Sequence, residues 1–318
     1  MRWSLLLVAL GWSGLAHAAP TPDVELPPLP SGRSLDAPEQ IELGDVEARL
    51  RLLGENLHEL RRFMGRPAPK SPLLRAEGAH LIHAMVQSFH LQQRAQQLGF
   101  EHLRTAFEPI RSKDPKPSPD RVLANVDDTL KVVFQVERTL GIEPVRRVGT
   151  ASVSTDATEV FNAILDAGRL LDVVIDQNRS SSDAFAIVTA VVHDASSLSS
   201  RQSRRFLPRM PDFEPNQTHR DVYEGLLTSF ERVQRVAERN ELPVLKYHVG
   251  DLSRGVALED VLDLAVLLFG EIHLISMRVT GHLAAPQIYY PGRKYPSHVM
   301  QRVKLLNAIL ERLGAARG

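Results

Sequence analysis

The sequence predicts an all-α protein, an antiparallel bundle of about eight helices without the single period of a regular solenoid. Three observations lead to this prediction. Apolar residues recur at helical spacing along most of the chain after residue 40. Prolines or capping residues, which are start signals for helices, precede several of these segments. Alternating β-branched segments bounded by Asn-Gly or Asp-Gly turns are absent from the sequence.

The segment from Met1 to Ala18 has the pattern of a secretory signal peptide. Arg2 gives a short positive start, residues 5–15 are apolar, and Ala16-His17-Ala18 places small residues where signal peptidase reads them. An apolar stretch of about 11 residues is shorter than the about 20 that a membrane-spanning helix needs. We therefore expect export, to the periplasm in a Gram-negative bacterium and to the exterior otherwise. A retained membrane anchor is the alternative.

Residues 19–40 are rich in proline, which removes backbone donors and favours extended conformations. We expect a disordered tether here, and the alternative is a docking segment for an aromatic groove. Residues 41–318 then form the helical-bundle domain. A division of this domain into sub-units 41–143 and 155–318 stays open.

The helices can be placed in order from apolar spacing and start signals. Val46 begins a run of apolar residues at offsets 4, 7, 11 and 14, which predicts a first helix over about residues 42–64. Ser71-Pro72 predicts a long second helix, antiparallel to the first, that ends near residue 107. Ser118-Pro119 repeats the same signal. A middle pair is expected at about residues 156–178 and 182–203, and long connections at about 141–155, 204–217, 241–256 and 284–296.

Four of the predicted helices share apolar residues at offsets 0, 1, 4, 11 and 14. The residues at offset 0 are Val122, Val160, Val222 and Val299. Two of these helices begin with a capping-box pattern, at Asp156 and Thr218, and two begin with proline, at Pro119 and Pro296. The intervals between the four valines are unequal, which argues against a solenoid. Internal duplication and convergence on one helix pattern both remain open.

Composition excludes several classes of partner and site. Lys plus Arg and Asp plus Glu both number 38, so the formal net charge is zero and we expect no nucleic-acid partner. The absence of cysteine excludes disulfides, thiolate metal sites and covalent c-type haem. The most apolar later stretch, residues 258–279, carries five charged residues, so we expect no transmembrane segment after signal removal. No cofactor is expected.

Histidines and acidic residues of the first two predicted helices match parts of a di-iron bundle pattern. These residues are Glu55, His58, Glu77, His80, His83 and His90. In helical projection they fall away from the apolar stripes, whereas the metal ligands of bundles project inward. We therefore expect a solvated polar face and no metal site.

Other candidate chemistry is equally sparse. Glu271 and His273 interrupt the most apolar helix, where hydrogen bonding inside a helix interface is expected and a functional site is the alternative. The serine clusters at 180–182 and 196–200 lack G-x-S-x-G framing, and glycine-rich phosphate motifs are absent. A Ser-His-Asp triad assembled from distant segments stays open.

Two segments are the candidate binding surfaces, because tyrosine and arginine dominate the energetics of many interfaces. In the first segment the candidate residues are Arg204, Arg205 and Arg209, and in the second they are Tyr289, Tyr290, Arg293, Lys294 and Tyr295. The alternative is that the tyrosines pack as anchors of a long connection. We therefore expect an exported, non-catalytic helical protein that binds or scaffolds an envelope partner protein or senses a small ligand. The alternative is a metalloprotein or hydrolase whose residues converge from separate helices.

The signal-peptide pattern predicts that the mature chain begins at Ala19, because the small residues at positions 16 and 18 direct cleavage after Ala18. Mass spectrometry of the N-terminal peptide from the exported protein checks this. A membrane-bound chain that still begins at Met1 would contradict it and identify the segment as an anchor.

Overall fold

The computed structural model describes residues 24–29, 41–104, 117–150, 154–175, 179–202, 208–280 and 292–315. Within them it has eight α-helices and one two-stranded sheet, which confirms the all-α class and the predicted number of helices. The helices are α1 Leu43–Phe63, α2 Leu81–Leu103, α3 Pro119–Thr139, α4 Ala157–Val174, α5 Ser181–Gln202, α6 His219–Arg239, α7 Leu258–Thr280 and α8 Pro296–Ala315. The strands are β1 Leu74–Gly78 and β2 Lys246–Val249. None of the helices in these ranges combines the length and hydrophobicity that crossing a membrane requires.

The predicted start of the second helix is wrong. Residues after Ser71-Pro72 form β1, and α2 begins only after His80. β1 pairs antiparallel with β2, with Leu74 opposite Val249. This pairing joins segments that are far apart in the sequence, and such a distant partner overrides the local helical pattern.

The helix starts share one hydrogen bond. In seven of the eight described helices, the side chain of the third helical residue accepts a hydrogen bond from the backbone N–H of the residue before the helix, which satisfies one donor at the start. The accepting residues are Asp45, His83, Glu159, Asp183, Asp221, Asp260 and His298. α3 begins with proline instead, as predicted. The capping boxes predicted at Asp156 and Thr218 are confirmed.

The residue that follows this acceptor, the fourth of each helix, is small or β-branched and fully buried in every described helix. These residues are Val46, Ala84, Val122, Val160, Ala184, Val222, Val261 and Val299. In the seven helices with this hydrogen bond, the third residue therefore accepts it and the fourth residue packs into the core. This pair of neighbouring residues explains why the same sequence pattern recurs at the helix starts.

The helices pack as two groups of four with the same contact pattern. In the first group α1 and α2 each contact both α3 and α4, and in the second group α5 and α6 each contact both α7 and α8. Successive helices within a group start at nearly equal intervals along the chain, whereas α5 follows α4 much more closely. The regular interval is hidden in the sequence by this interruption, and by Ala84 and Ala184, which stand where the other six helices have valine. Because α4 contacts α1 and α2, it belongs to the first group.

Helices within the first group run in the same direction. Asn125 Nδ2 donates to Ser88 Oγ at 2.9 Å and, one turn further along both helices, Gln92 Nε2 donates to Asp128 Oδ2 at 2.9 Å. The chain returns from the end of one helix to the start of the next through long connections, such as residues 64–80 and 240–257. These are long enough to retrace a helix of about 32 Å, since an extended chain covers about 3.3 Å per residue.

The second group has the same internal arrangement and runs opposite to the first. In α6 and α8, Gly225 lies against Val303 near both starts, and Gly314 lies against Arg239 near both ends. β1 and β2, which return along their groups, are antiparallel. The antiparallel relation of the predicted bundle therefore holds between the two groups. The prediction that the second helix is antiparallel to the first is wrong, because the helices of one group are parallel.

Six residues of the predicted tether are docked on the bundle. Residues 24–29, here called the strap, have no regular secondary structure, and the side chains of Val24 and Leu29 are buried in the core cluster. Arg49 of α1 donates from Nη1 to the Pro27 carbonyl at 2.9 Å, and its Nε lies 2.7 Å from Asp127 Oδ1 of α3. This part of the predicted tether is therefore not free.

The stability of the docked strap is close to balanced. Burying each of the two aliphatic side chains contributes about 1.5–3 kcal/mol, and a hydrogen bond from a charged donor about 1.5–3 kcal/mol. Ordering the four residues that are not proline costs about 1–2 kcal/mol each. Leu26 is also packed against the core cluster and adds to the gain, so the sum favours the docked strap.

The contact between α6 and α8 depends on Gly225. A Cβ added at this position would lie 2.9 Å from Val303 Cγ1, and Val303 is a buried, β-branched residue with little rotamer freedom. Gly54 of α1 is also helical, but nothing lies within 4 Å of its Cβ position. The two glycines therefore form a matched pair.

Gly225→Ala should destabilise the protein by about 1–2 kcal/mol, since overpacking outweighs the gain in helix propensity. Gly54→Ala should stabilise it by about 0.5–1 kcal/mol. Denaturant unfolding followed by circular dichroism measures both. If Gly225→Ala were as stabilising as Gly54→Ala, the close approach of α6 and α8 would be wrong.

Candidate binding surface

The described parts of the two predicted binding segments meet at the start of α8. Pro211 belongs to the connection before α6, and its carbonyl accepts a hydrogen bond of 2.7 Å from Gln301 Nε2. The backbone N–H of Gln217 donates to Ser297 Oγ at 3.1 Å. Residues 208–218 therefore lie along the first turns of α8, next to residues 292–295 that precede the helix. The fold joins segments that are distant in the sequence.

Three large apolar side chains remain about half exposed at this junction. Met210 is 41% exposed, Phe213 49% and Tyr295 51%. The His298 ring connects two of them, with ring centroids 5.0 Å from Phe213 and 5.9 Å from Tyr295. Phe213, His298 and Tyr295 form a continuous aromatic strip, with Met210 exposed three residues before Phe213, and an interaction would cover these side chains.

Charged side chains border the strip. The guanidinium of Arg293 lies 5.4 Å from the centroid of Tyr295, and Arg209 is exposed beside Met210. Asp212 is exposed within the same connection, and Glu214 pairs with Lys304 of α8. We call Arg209, Met210, Phe213, Arg293, Tyr295 and His298 the aromatic–arginine surface.

Other predicted binding residues are placed elsewhere. Lys294 faces α5, where its Nζ lies 5.2 Å from the ring centroid of Phe185, and Arg302 lies over the same ring. Arg204, Arg205, Tyr289 and Tyr290 lie outside the described residues. Of the eight predicted residues, the structure therefore places Arg209, Arg293 and Tyr295 on one surface. Phe213 and His298 complete it through their ring contacts.

A buried ionic cluster connects the two helix groups. Arg169 of α4 donates to Asp263 Oδ2 at 2.6 and 2.9 Å and to Asp260 Oδ1 at 2.7 Å, both in α7. Asp260 also accepts a hydrogen bond from the Leu73 backbone N–H at 3.2 Å. All three charged side chains are buried, so each charge is compensated where water cannot reach it.

A small polar cavity lies beside this cluster. It measures about 20 Å³ and is lined by Gln87, His90, Arg94, Arg179, Asp263 and neighbouring apolar groups. Arg94 and Arg179 both pair with Asp172. Burial, followed by the charges of Arg179 and Arg94, lowers the pKa of His90 to about 4, so this ring is neutral at pH 7. The volume admits about one water molecule, so the cavity is too small for an organic substrate.

His83 and Glu271 form a second link between the groups. His83 Nδ1 accepts from the His80 backbone N–H at 2.9 Å, which leaves the ring proton on Nε2. Nε2 lies 3.0 Å from Glu271 Oε1, which also accepts from the Leu245 N–H at 3.0 Å. The expectation that His83 faces solvent is wrong, because α2 is covered on this side by α7.

The remaining metal-pattern residues are dispersed. Glu55 and His58 are exposed on α1, Glu77 is exposed on β1, and His80 precedes α2. In the parts of the chain that the structure describes, no group of three or more His, Asp or Glu side chains is placed to hold a metal ion. His273 stacks on Phe269 at 5.3 Å, with Nδ1 3.6 Å from Asp194 Oδ2.

Glu137 is a buried carboxyl group that has no hydrogen-bond partner among the described residues. Burial, and then the negative charge of Glu59, raises the pKa of Glu137 to about 8. The side chain is therefore mostly protonated in the folded protein at neutral pH. It makes the stability of the bundle sensitive to pH.

Searches against protein-family models, curated proteins and solved structures found no match to this chain. The fold and the site define the protein as an all-α protein of two opposed four-helix groups with an exposed aromatic strip.

Replacing Glu137 with Gln should remove a pH dependence of stability. The folded protein holds this proton up to a pKa of about 8, and an unfolded Glu releases it near its ordinary value of about 4.5. Wild-type stability should therefore fall between pH 5 and 8 relative to Glu137→Gln, by at most about 1.4 kcal/mol per pH unit.

Denaturant unfolding at several pH values within this window measures the difference. Replacing the exposed Glu143 by Gln is the matched control and should leave the profile of the wild type unchanged. A constant difference between Glu137→Gln and wild type at all pH values would contradict the buried protonated state.

Proposed function

We propose that this is an exported, non-catalytic helical protein that binds a partner protein of the cell envelope through the aromatic–arginine surface. The observation that carries the proposal is the convergence of two distant segments on the start of α8, with Met210, Phe213 and Tyr295 each about half exposed. Folding has not buried these three side chains. The adjoining helix α8, in contrast, buries its own apolar side chains in the core. Export rests on the sequence from Met1 to Ala18.

The chemistry of the surface favours a protein partner. Aromatic side chains offer large contact areas with few rotatable bonds, and arginine adds directional hydrogen bonds at the edge of the contact. The strip is held in shape by the rings around His298 and by the bond from Gln301 to the Pro211 carbonyl. A pre-shaped surface loses less conformational entropy on binding than a flexible one.

The distribution of charge indicates which partner fits. Arg209 and Arg293 are exposed at the strip, whereas Glu214 is compensated by Lys304 and leaves Asp212 as the exposed acidic neighbour. A partner with an apolar ridge and carboxylates at its edge would match this pattern. Reversing one of the two arginine charges should therefore weaken binding.

A photoreactive phenylalanine analogue at position 213 should crosslink a discrete partner in intact cells. The same analogue at Phe100, which is 50% exposed on α2, is the matched control and should give no such product. Adding Arg293→Asp to the position-213 protein should reduce the crosslink about tenfold or more, since loss of an interface hot spot costs about 2 kcal/mol or more. Circular dichroism must show unchanged helicity.

Equal crosslinking from positions 213 and 100 would show non-specific encounter and contradict the proposal. A product at position 213 that Arg293→Asp leaves unchanged would place the partner on the aromatic strip but remove arginine from the recognition.

A further inference from the structure

The backbone of β2 is paired on one side and points away from β1 at two residues. The N–H of Gly250 donates to the carbonyl of Leu73 at 2.7 Å, so these two residues form a hydrogen-bonded pair of the antiparallel sheet. Such pairs alternate with pairs whose backbone groups point away from each other. By the register of the sheet, Tyr247 and Val249 belong to the second kind. Their N–H and C=O groups therefore face the outer edge of β2.

The outer edge of β1, in contrast, is closed by α4. Asn162 accepts a hydrogen bond from the N–H of Ala76 at 3.1 Å and donates to the carbonyl of the same residue at 3.0 Å. Ala76 is the residue that lies opposite Tyr247. Among the residues that the structure describes, none makes the equivalent bonds to the outward backbone groups of Tyr247 and Val249. The outer edge of β2, here called the open edge, is therefore a template for another strand.

The side chains of β2 alternate between two environments. Lys246 and His248 are exposed, whereas Tyr247 and Val249 are partly buried and pack against the core. The ring of Tyr247 meets the ring of Phe230 edge-on, with centroids 4.7 Å apart. Two apolar side chains that are only partly covered therefore accompany the unpaired backbone groups.

The open edge is complementary to itself. If two copies pair antiparallel about a twofold axis at His248, Tyr247 of each copy lies opposite Val249 of the other. Both residues point N–H and C=O outward, so each of these two pairs exchanges two backbone hydrogen bonds. Each pair also places an aromatic side chain beside a β-branched one, which is a favourable cross-strand combination. A second copy therefore matches both the polar and the apolar groups of the edge.

The charges of the strand do not oppose this pairing. Lysines on edge strands commonly prevent two edges from joining. In this register, however, Lys246 lies opposite Gly250 of the second copy, which has no side chain. On β1 the charged residue opposite His248 is Arg75, whose guanidinium is compensated by Asp166 of α4 at 2.7 Å. No lysine of one copy therefore faces a lysine of the other.

We propose that β2 is a dimerisation edge, at which a second copy of this chain pairs antiparallel about His248 and the two sheets join into one of four strands. Two short strands bury less than the about 1,200–2,000 Å² of a standard protein interface, so the dimer is weak and forms at high local concentration. The open edge shares no residue with the aromatic–arginine surface. This proposal and the proposed function can therefore fail independently.

Sedimentation equilibrium of the exported chain, up to millimolar concentration, measures the pairing. His248→Asp and His248→Lys place like charges opposite each other across the axis, so each variant alone should dimerise about fivefold more weakly than wild type. An equimolar mixture of the two should dimerise more strongly than either alone, because opposite charges then meet. The same two changes at His58, which is exposed on α1, are the matched control and should have no effect.

Val249→Pro tests the backbone directly. It removes an outward N–H that takes no part in the pairing with β1, a position where edge strands tolerate proline. Two hydrogen bonds of the dimer are lost, and dimerisation should weaken about tenfold. Circular dichroism should show the helicity of wild type in all variants. If Val249→Pro unfolds, the mixture of the two His248 variants decides.

Several results would overturn the proposal. A wild-type chain that stays monomeric at millimolar concentration would do so, and so would a dimer that neither the His248 changes nor Val249→Pro weakens, since it forms through another surface. A mixture of the two His248 variants that dimerises no better than either alone would place the axis elsewhere. A photoreactive analogue at position 248 that crosslinks a different protein in cells, and no second copy, would assign the open edge to that protein instead.

Discussion

The hydrogen bond at the helix start, together with the buried residue beside it, is the constraint on which the rest of the fold depends. It fixes the rotation of each helix, since the accepting side chain must point back along the start while the next residue enters the core. At two positions it also joins the helix groups. His83 caps α2 and reaches Glu271, and Asp260 caps α7 and receives Arg169. Local and long-range structure therefore use the same side chains.

α7 is the most apolar helix because it is covered by both groups. α7 contacts α5 and α6 of its own group and α2 and β1 of the other group, so little of its surface faces water. A helix that is covered all round must be hydrophobic all round. Three of the polar groups that it buries, Asp260, Asp263 and Glu271, each meet a partner from the first group. Polarity inside this helix specifies which surface of the first group it joins, as buried polar contacts can.

The sequence predicts the helices well, because their signals are local. Starts at Pro119, Pro296 and the two capping boxes are where the pattern places them, and the residues at the shared apolar offsets are buried apart from Met300, which is partly exposed. The misses are all tertiary. β1 needs β2, His83 faces α7 instead of water, and the strap is ordered by Arg49. No spacing rule within one segment carries such information.

The binding surface, too, could be predicted only as far as its signals are local. Composition marked both segments, since arginines and tyrosines between prolines are unusual, but it could not show that α8 brings them together or that Lys294 turns toward Phe185. The residues that complete the strip, Phe213 and His298, are ordinary in the sequence. Their role depends on ring distances that only the folded connection establishes.

The parallel order within each group has an electrostatic cost that the sequence offsets. Four helices that start at one end place four positive dipole ends together, which is unfavourable. Acidic residues at the third helical position counter this at five of the eight starts, and the opposed direction of the two groups aligns their dipoles antiparallel. The three exceptions are α2, α3 and α8, and the third residue of α8 is His298, which does not carry a compensating negative charge. The start of α8 therefore remains electropositive next to Arg293, and this is the end of the molecule where the aromatic strip is exposed.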